Sequence, residues 1–133
     1  MELKDTYADR AIHERWESVY RAGGSQSDFN DRIMDRILGL MNPSPGSLFL
    51  DAGCGVGDHS ARLGRRGLRC IGVDISETIL DEARQKISRE GSDEMVSFQP
   101  EKLEQLSFAD DSFDFVHCRG VLMHIPDWER ALR

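Results

Sequence analysis

Apolar residues recur at helical spacing over the first third of the chain and in short runs over the rest. Ala8, Ile12, Trp16 and Val19 share one face of residues 6–21, which predicts an amphipathic helix closed by Gly23-Gly24-Ser25. Phe29, Ile33, Ile37 and Met41 repeat the pattern over 27–41, with Ser27 or Asp28 as N-cap, and both helices are expected to cover a core. Asn42-Pro43-Ser44-Pro45-Gly46 breaks the pattern. Strand-length and helix-length segments then alternate. A strand over 48–52 precedes a helix over 57–66, in which Ala61 and Leu63 are the few apolar positions. A second strand over 68–73 ends at Asp74, and Ser76 caps a helix reaching to residue 90, with Ile79, Leu80, Ala83 and Ile87 on one face and Gly91 as its stop. A third strand covers 96–99, a fourth 113–118, and helical turns begin at Val121. Such alternation predicts an α/β fold, a parallel sheet with helices on both faces and right-handed crossovers.

The richest local signal follows the first of these strands. Leu48, Phe49 and Leu50 lead into Asp51, and glycines stand at 53, 55 and 57. A buried strand that ends in a glycine-rich turn and opens a helix lets a ligand approach the backbone and aims free amides at it. The dinucleotide fingerprint G-x-G-x-x-G needs a third glycine where this chain has Asp58. The order here is Asp-x-Gly-x-Gly-x-Gly, and a carboxylate two residues before the first glycine suits a ligand carrying an ammonium better than a pyrophosphate. Asp74 closes the second strand 17 residues after Gly57 and can accept hydrogen bonds from both hydroxyls of a ribose, in adenosylmethionine and NAD alike. A strand-end Asp capping the next helix is the alternative reading. Ile75 offers an apolar surface to an adenine ring.

The glycine stretch, the run Leu106-Ser107-Phe108-Ala109-Asp110-Asp111-Ser112-Phe113-Asp114 and the segment Cys118-Arg119-Gly120-Val121-Leu122-Met123-His124-Ile125 together resemble the class I S-adenosylmethionine-dependent methyltransferases of small-molecule type. The resemblance is tight over 47–128 and loose over 1–41. It implies a Rossmann-like doubly wound sheet of strand order 3-2-1-4, with the ligand at the switch point between the first and fourth strands. It also implies S-adenosylmethionine as cofactor, held by Asp51, Gly53, Cys54, Gly55, Gly57, Asp74, Ile75, Lys102, Leu103 and Cys118. The carbonyl of Cys118 would face the ligand's ammonium, with Asp51 helping through the loop. Phe108 and Phe113 would pack their loop under the sheet, leaving Asp110 and Asp111 solvated or capping a turn. One position departs from the family. The acidic residue that receives the adenine amino group aligns with Lys102, so either Glu101 substitutes or the contact is weaker, while Leu103 still offers its N–H and an apolar contact.

No catalytic residue is assigned. His117 and His124 lie near the expected mouth of the site, His13, Tyr7 and Tyr20 come from the N-terminal lid, and a structural role outweighs catalysis for each. Cys54 and Cys118 read as small packing residues, and Trp16 and Tyr20 as closing groups over the cofactor or as core. The family's sheet continues with strands 5 to 7, which this chain lacks. We therefore read residues 1–133 as one truncated domain, a helical lid over 1–41 and a βαβ core over 47–133, and expect the edge at 113–118, with Phe115 and Val116, to associate with a second copy. A non-catalytic binding or interaction module is the alternative, with an NAD-dependent oxidoreductase behind it.

Composition narrows the partners. The net charge of -7 and a pI near 5.0 argue against a broad nucleic-acid surface, so for the methyl acceptor that the resemblance implies, a small molecule is favoured over nucleic acid. No apolar run is long enough to span a membrane, so no membrane partner is expected. Cys54, Cys70 and Cys118 form neither a C-x-x-C pair nor an even set, and no metal spacing is visible. Reduced thiols and a cytoplasmic location follow.

Overall fold

The computed structural model describes residues 11, 12, 14, 15, 18 and 24–133. Most of the helix expected over 6–21, with Tyr7, His13, Trp16 and Tyr20, therefore lies outside the described residues. Helix α1 (Gly24–Met41) leads to strand β1 (Leu48–Ala52), helix α2 (Asp58–Arg65) and strand β2 (Arg69–Asp74). Helix α3 (Glu77–Glu90), strands β3 (Val96–Pro100) and β4 (Phe115–His117), a 3-10 turn at Leu122–His124 and helix α4 (Trp128–Ala131) follow. The strands form one parallel sheet of order β3-β2-β1-β4, the Rossmann-like order expected.

The helix ends follow from local chemistry. Asn42 takes a left-handed φ of 47° and returns its N–H to the Leu38 carbonyl at 2.8 Å, which ends α1 before Pro43. The Ser76 hydroxyl accepts from the Ile79 N–H at 3.4 Å to start α3. Gly91, at φ 69°, ends it in a Schellman arrangement, with Ser92 N–H on the Ile87 carbonyl and Gly91 N–H on that of Ser88.

Helices α1, α2 and α3 all pack on one face of the sheet, through Met34, Phe49, Ala61, Leu63, Cys70, Leu80, Ala83, Ile87, Val96 and Phe98. This differs from the expected two-sided cover. The crossovers from β1 to β2 and from β2 to β3 step in the same direction, so right-handedness puts both helices on the same side. The opposite face, around Leu50, Ala52 and Val73, is covered by Leu103, Leu106, Phe108 and Phe113 from the segment that carries the chain back to β4. Phe108 and Phe113 meet edge to face with centroids 4.8 Å apart, as the packing role predicted for them requires. Phe113 is thereby drawn out of the strand, and β4 is shorter than the 113–118 read from the sequence.

Helix α1 is rotated away from most of its apolar pattern, with only Met41 of the expected face on the core. It begins at Gly24, a turn before the predicted cap, so Gly24 and Ser25 open this helix. Ser27 lies inside it and accepts from Arg62 Nη2 at 3.2 Å. Asp31 and Asp35 face α2, where Arg66 reaches Asp31 at 3.0 Å and Asp35 at 2.6 Å, and Arg62, almost buried, lies 3.5 Å from Asp31. Met34, Leu38 and Met41 pack into the core, whereas Phe29, Ile33 and Ile37 remain 51%, 37% and 37% exposed. Arg62 and Arg66 draw Asp31 and Asp35 toward α2, and of the expected core face Met41 alone packs inward.

Candidate cofactor site

The glycine loop at the carboxyl end of β1 closes onto β2. The N–H groups of Gly53 and Cys54 both donate to the Val73 carbonyl at 2.9 Å, that of Gly57 to the Cys54 carbonyl at 3.0 Å, and that of Gly55 to Asp74 Oδ2 at 3.1 Å. These amides are spent inside the protein, which corrects the expectation that they point at a ligand. These four amides are not available to a pyrophosphate, and Asp58, ion-paired with Lys86, opens α2 with a negative charge.

The three glycines serve different neighbours. A Cβ on Gly53 would collide with Val121, 2.7 Å from Cγ1, so the segment after β4 lies against the loop. A Cβ on Gly57 would stand 2.7 Å from Phe98 Cζ, so the ring of β3 supports the loop from beneath. Only at Gly55, with φ 54°, is there no atom within 4 Å. Close approach from outside is possible at that residue alone of the three.

Asp51 is 3% exposed and turned into the protein. Its Oδ2 accepts from the buried Ser60 hydroxyl at 2.6 Å, and its Oδ1 lies 3.1 Å from His117 Nδ1. The carboxylate thus ties β1, β4 and α2 together beneath the loop and is not open to a ligand. The His59 ring lies beside that of His117, centroids 4.9 Å apart, with its Nδ1 buried and unpartnered. Burial pushes the His59 pKa down to about 4, Asp51 opposes the shift, and His117, Arg62 and Arg119 reinforce it. Burial, with Asp51 nearby, raises the thiol pKa of Cys54 and Cys70, and that of Cys118 is raised as well. None is an activated nucleophile. Cys54 packs against the core as expected, whereas Cys118 is exposed at the end of β4.

Asp74 ends β2 with one oxygen on the Gly55 N–H and the other on the Ser76 N–H, both at 3.1 Å. It joins the loop to the cap of α3, and each oxygen retains a lone pair for a further donor. Beside it opens a cleft of about 260 Å³ lined by Ile75, Pro100, Glu101, Lys102 and Gln105. Leu103 does not line it; its side chain packs into the opposite-face core with Leu50 and Val73. The Glu101 carboxylate accepts from Gln99 Nε2 at 2.8 Å, the Ser107 N–H at 3.2 Å and the Ser107 hydroxyl. Burial raises its pKa, but these bonds outweigh burial and hold the group below the usual carboxylate range. A larger cleft, about 470 Å³ and lined by Asp35, Pro43, Pro45, Arg66 and Leu68, opens at the amino-terminal end of the sheet. Ligands of such sheets bind at the carboxyl ends, so the smaller cleft belongs to the site. Among the described residues no group of three or more His, Cys, Asp or Glu could hold a metal ion.

Residues 50–133 match the family described as a methyltransferase domain. The chain belongs to that family. Among curated proteins it is 32% identical to the methyltransferase GfsG of Streptomyces halstedii, over 80% of this chain and 39% of that protein. It is also 32% identical to the magnesium-protoporphyrin O-methyltransferase of Synechocystis, over 94% of this chain and 57% of that protein. A crystal structure of the Synechocystis magnesium protoporphyrin IX methyltransferase with bound SAM superposes with a TM-score of 0.75 at 30% identity, covering 98% of this chain and 66% of that one. The chain thus spans about half the length of the curated relatives it matches.

Sequence reading missed the supports of the site. Phe98 and Val121 read as ordinary strand and turn residues, and only the glycines opposite them hinted at close packing. The pairing of Asp51 with His117, 66 residues apart, left no local signal. Asp114 was visible in its motif, but its bonding was not. Its Oδ2 accepts from the Leu48 N–H at 2.8 Å, while its own N–H returns to the Leu48 carbonyl.

Proposed function

We propose that this chain binds S-adenosylmethionine and carries the cofactor half of a methyltransferase acting on a small molecule. The observation that carries the reading is Asp74, which holds the one open-faced glycine of the loop and stands beside an apolar-floored cleft. A ribose diol on Asp74 and a flat base on Ile75 match this layout. The internal use of the loop amides, with the Asp74 carboxylate beside the loop, favours a cationic ligand over a pyrophosphate. Gly53, Cys54, Gly55 and Gly57 shape the surface, and Asp51 acts by holding His117 and Ser60. The Cys118 carbonyl is the proposed acceptor for the ligand's ammonium. S-adenosylmethionine, when bound, supplies a methyl group on a positively charged sulfur. Given so good a leaving group, this chain's residues have mainly to orient the partners and exclude water. A general base is required only for acceptors with a proton to lose, and the chain's relationship to an O-methyltransferase points to oxygen.

Residues 47–133 form the core of this reading and 1–41 its cover. Free thiols at 54, 70 and 118 fit a reducing cytoplasm, and no helix of the described residues is long and apolar enough to cross a membrane. Among the described residues strand β4 pairs with β1 alone and leaves Val116 61% exposed, which supports association through that edge. Phe115, by contrast, stacks on Phe49 and belongs to the core side. A monomeric mass by light scattering at tens of micromolar would remove the association. Lys102 in the cleft supports a second reading, a module that binds the cofactor without turnover. Incubation with methyl-labelled S-adenosylmethionine and a panel of small hydroxyl acceptors separates the two, because label transfer identifies an enzyme and binding without transfer identifies the module.

A further inference from the structure

The cleft beside Asp74 has an unusual polar lining for a site that takes adenine. Its side chains are Ile75 and Pro100, which offer apolar surface, and Glu101, Lys102 and Gln105. The 6-amino group of adenine is a donor and needs an acceptor. Lys102 has three donors and none to accept with. The Gln105 amide carries both kinds of group on one rotatable end, so it can serve an amino group or a ring nitrogen equally. Glu101 is the one carboxylate of the cleft, and three donors from Gln99 and Ser107, two on Oε1 and one on Oε2, hold it turned toward them. Those bonds fix the start of the segment that covers the second face of the sheet. Turning Glu101 toward a ligand would release them, and nothing gained at an exposed cleft replaces a carboxylate with three partners.

Resting on the cofactor reading above, we infer that this site holds the purine by its faces and ring nitrogens and does not read the 6-amino group. Lys102 is the residue that sets this tolerance. The site accepts purine nucleoside thioethers whose position 6 is altered, a wider ligand class than adenosine alone. The Lys102 ammonium can donate to a ring nitrogen in all of them. Asp74 and Ile75 act on the ribose and the ring face, which these ligands share.

The test compares S-adenosylhomocysteine with its 6-deamino analogue, in which hydrogen replaces the amino group and the ring nitrogens are unchanged. Both are titrated calorimetrically into the full chain and into Lys102→Asp, an exposed position where folding is checked by circular dichroism. The wild-type chain should bind the two within about threefold. Lys102→Asp should favour the amino ligand by about tenfold or more, the size of a hydrogen bond to a charged group. A wild-type preference of tenfold for the amino ligand would overturn the inference while leaving the cofactor reading intact. So would a folded Lys102→Asp chain that still bound both alike. Binding of neither ligand by the folded wild-type chain would remove the cofactor reading and this inference with it.

Discussion

Gly72→Ala isolates the packing that supports the loop. Gly72 lies in the middle of β2, paired with Phe98 on β3 and Asp51 on β1, at a φ that any residue can adopt. The added methyl would stand 2.6 Å from Phe98 Cδ1, 2.7 Å from Cε1 and 3.0 Å from Cys54 Sγ. The same ring also fills the space a Gly57 Cβ would need, with Cε1 close to both positions, so it is packed tightly under the loop. Overpacking of this kind costs about 1–3 kcal/mol, and two ring contacts well under 3 Å place the substitution in the upper half of that range. For a domain of this length the melting temperature should fall by about 6–12 °C. Phe98→Leu should restore part of the loss when combined with Gly72→Ala, giving a coupling of at least ~1 kcal/mol in a double-mutant cycle. Urea unfolding followed by circular dichroism measures all four proteins. Unchanged stability of Gly72→Ala, or simple additivity of the two substitutions, would refute this account of Phe98 as the wedge under the loop.

Three further expectations concern the site. The folded-state pKa of His59, about 4, lies below the ordinary value of 6.5, so the unfolded chain binds the extra proton between them. Stability from this group is full above the ordinary value and is lost as pH falls toward the folded one, by up to about 3 kcal/mol; His59→Phe should flatten the urea-midpoint slope across that window, and an unchanged slope would refute the burial. Ser60→Ala leaves the buried Asp51 with one partner in place of two and should cost about 1–3 kcal/mol in chemical unfolding. Asp114→Ala removes the side-chain acceptor of the Leu48 N–H and should cost about 1 kcal/mol. Its effect should appear as faster hydrogen exchange confined to β4 and the start of β1.

What the sequence made legible was what local chemistry decides. Ser76 and Gly91 bound α3 by side-chain capping and a left-handed turn, and both work within a few residues. Apolar runs located β1, β2 and β3, and the order with β4 followed from the family resemblance. The facing of α1 was not legible, because its apolar period at Phe29, Ile33 and Ile37 competes with carboxylates whose arginine partners lie about 30 residues on. The loop amides illustrate the same limit. Three glycines announce an open backbone, but whether the amides face a ligand depends on Val73 and Asp74, which belong to another strand. Asp51 reads as a ligand contact until His117 and Ser60 arrive from β4 and α2 to claim it.

The measurement that bears most directly on the central claim is calorimetric titration of the folded chain with S-adenosylmethionine, with NAD as control. The arrangement of Asp74, Gly55 and the Ile75 cleft predicts micromolar binding of S-adenosylmethionine, none of NAD, and loss of binding in Asp74→Ala and Gly55→Val. A folded chain that bound neither ligand, or that bound NAD as well, would contradict it.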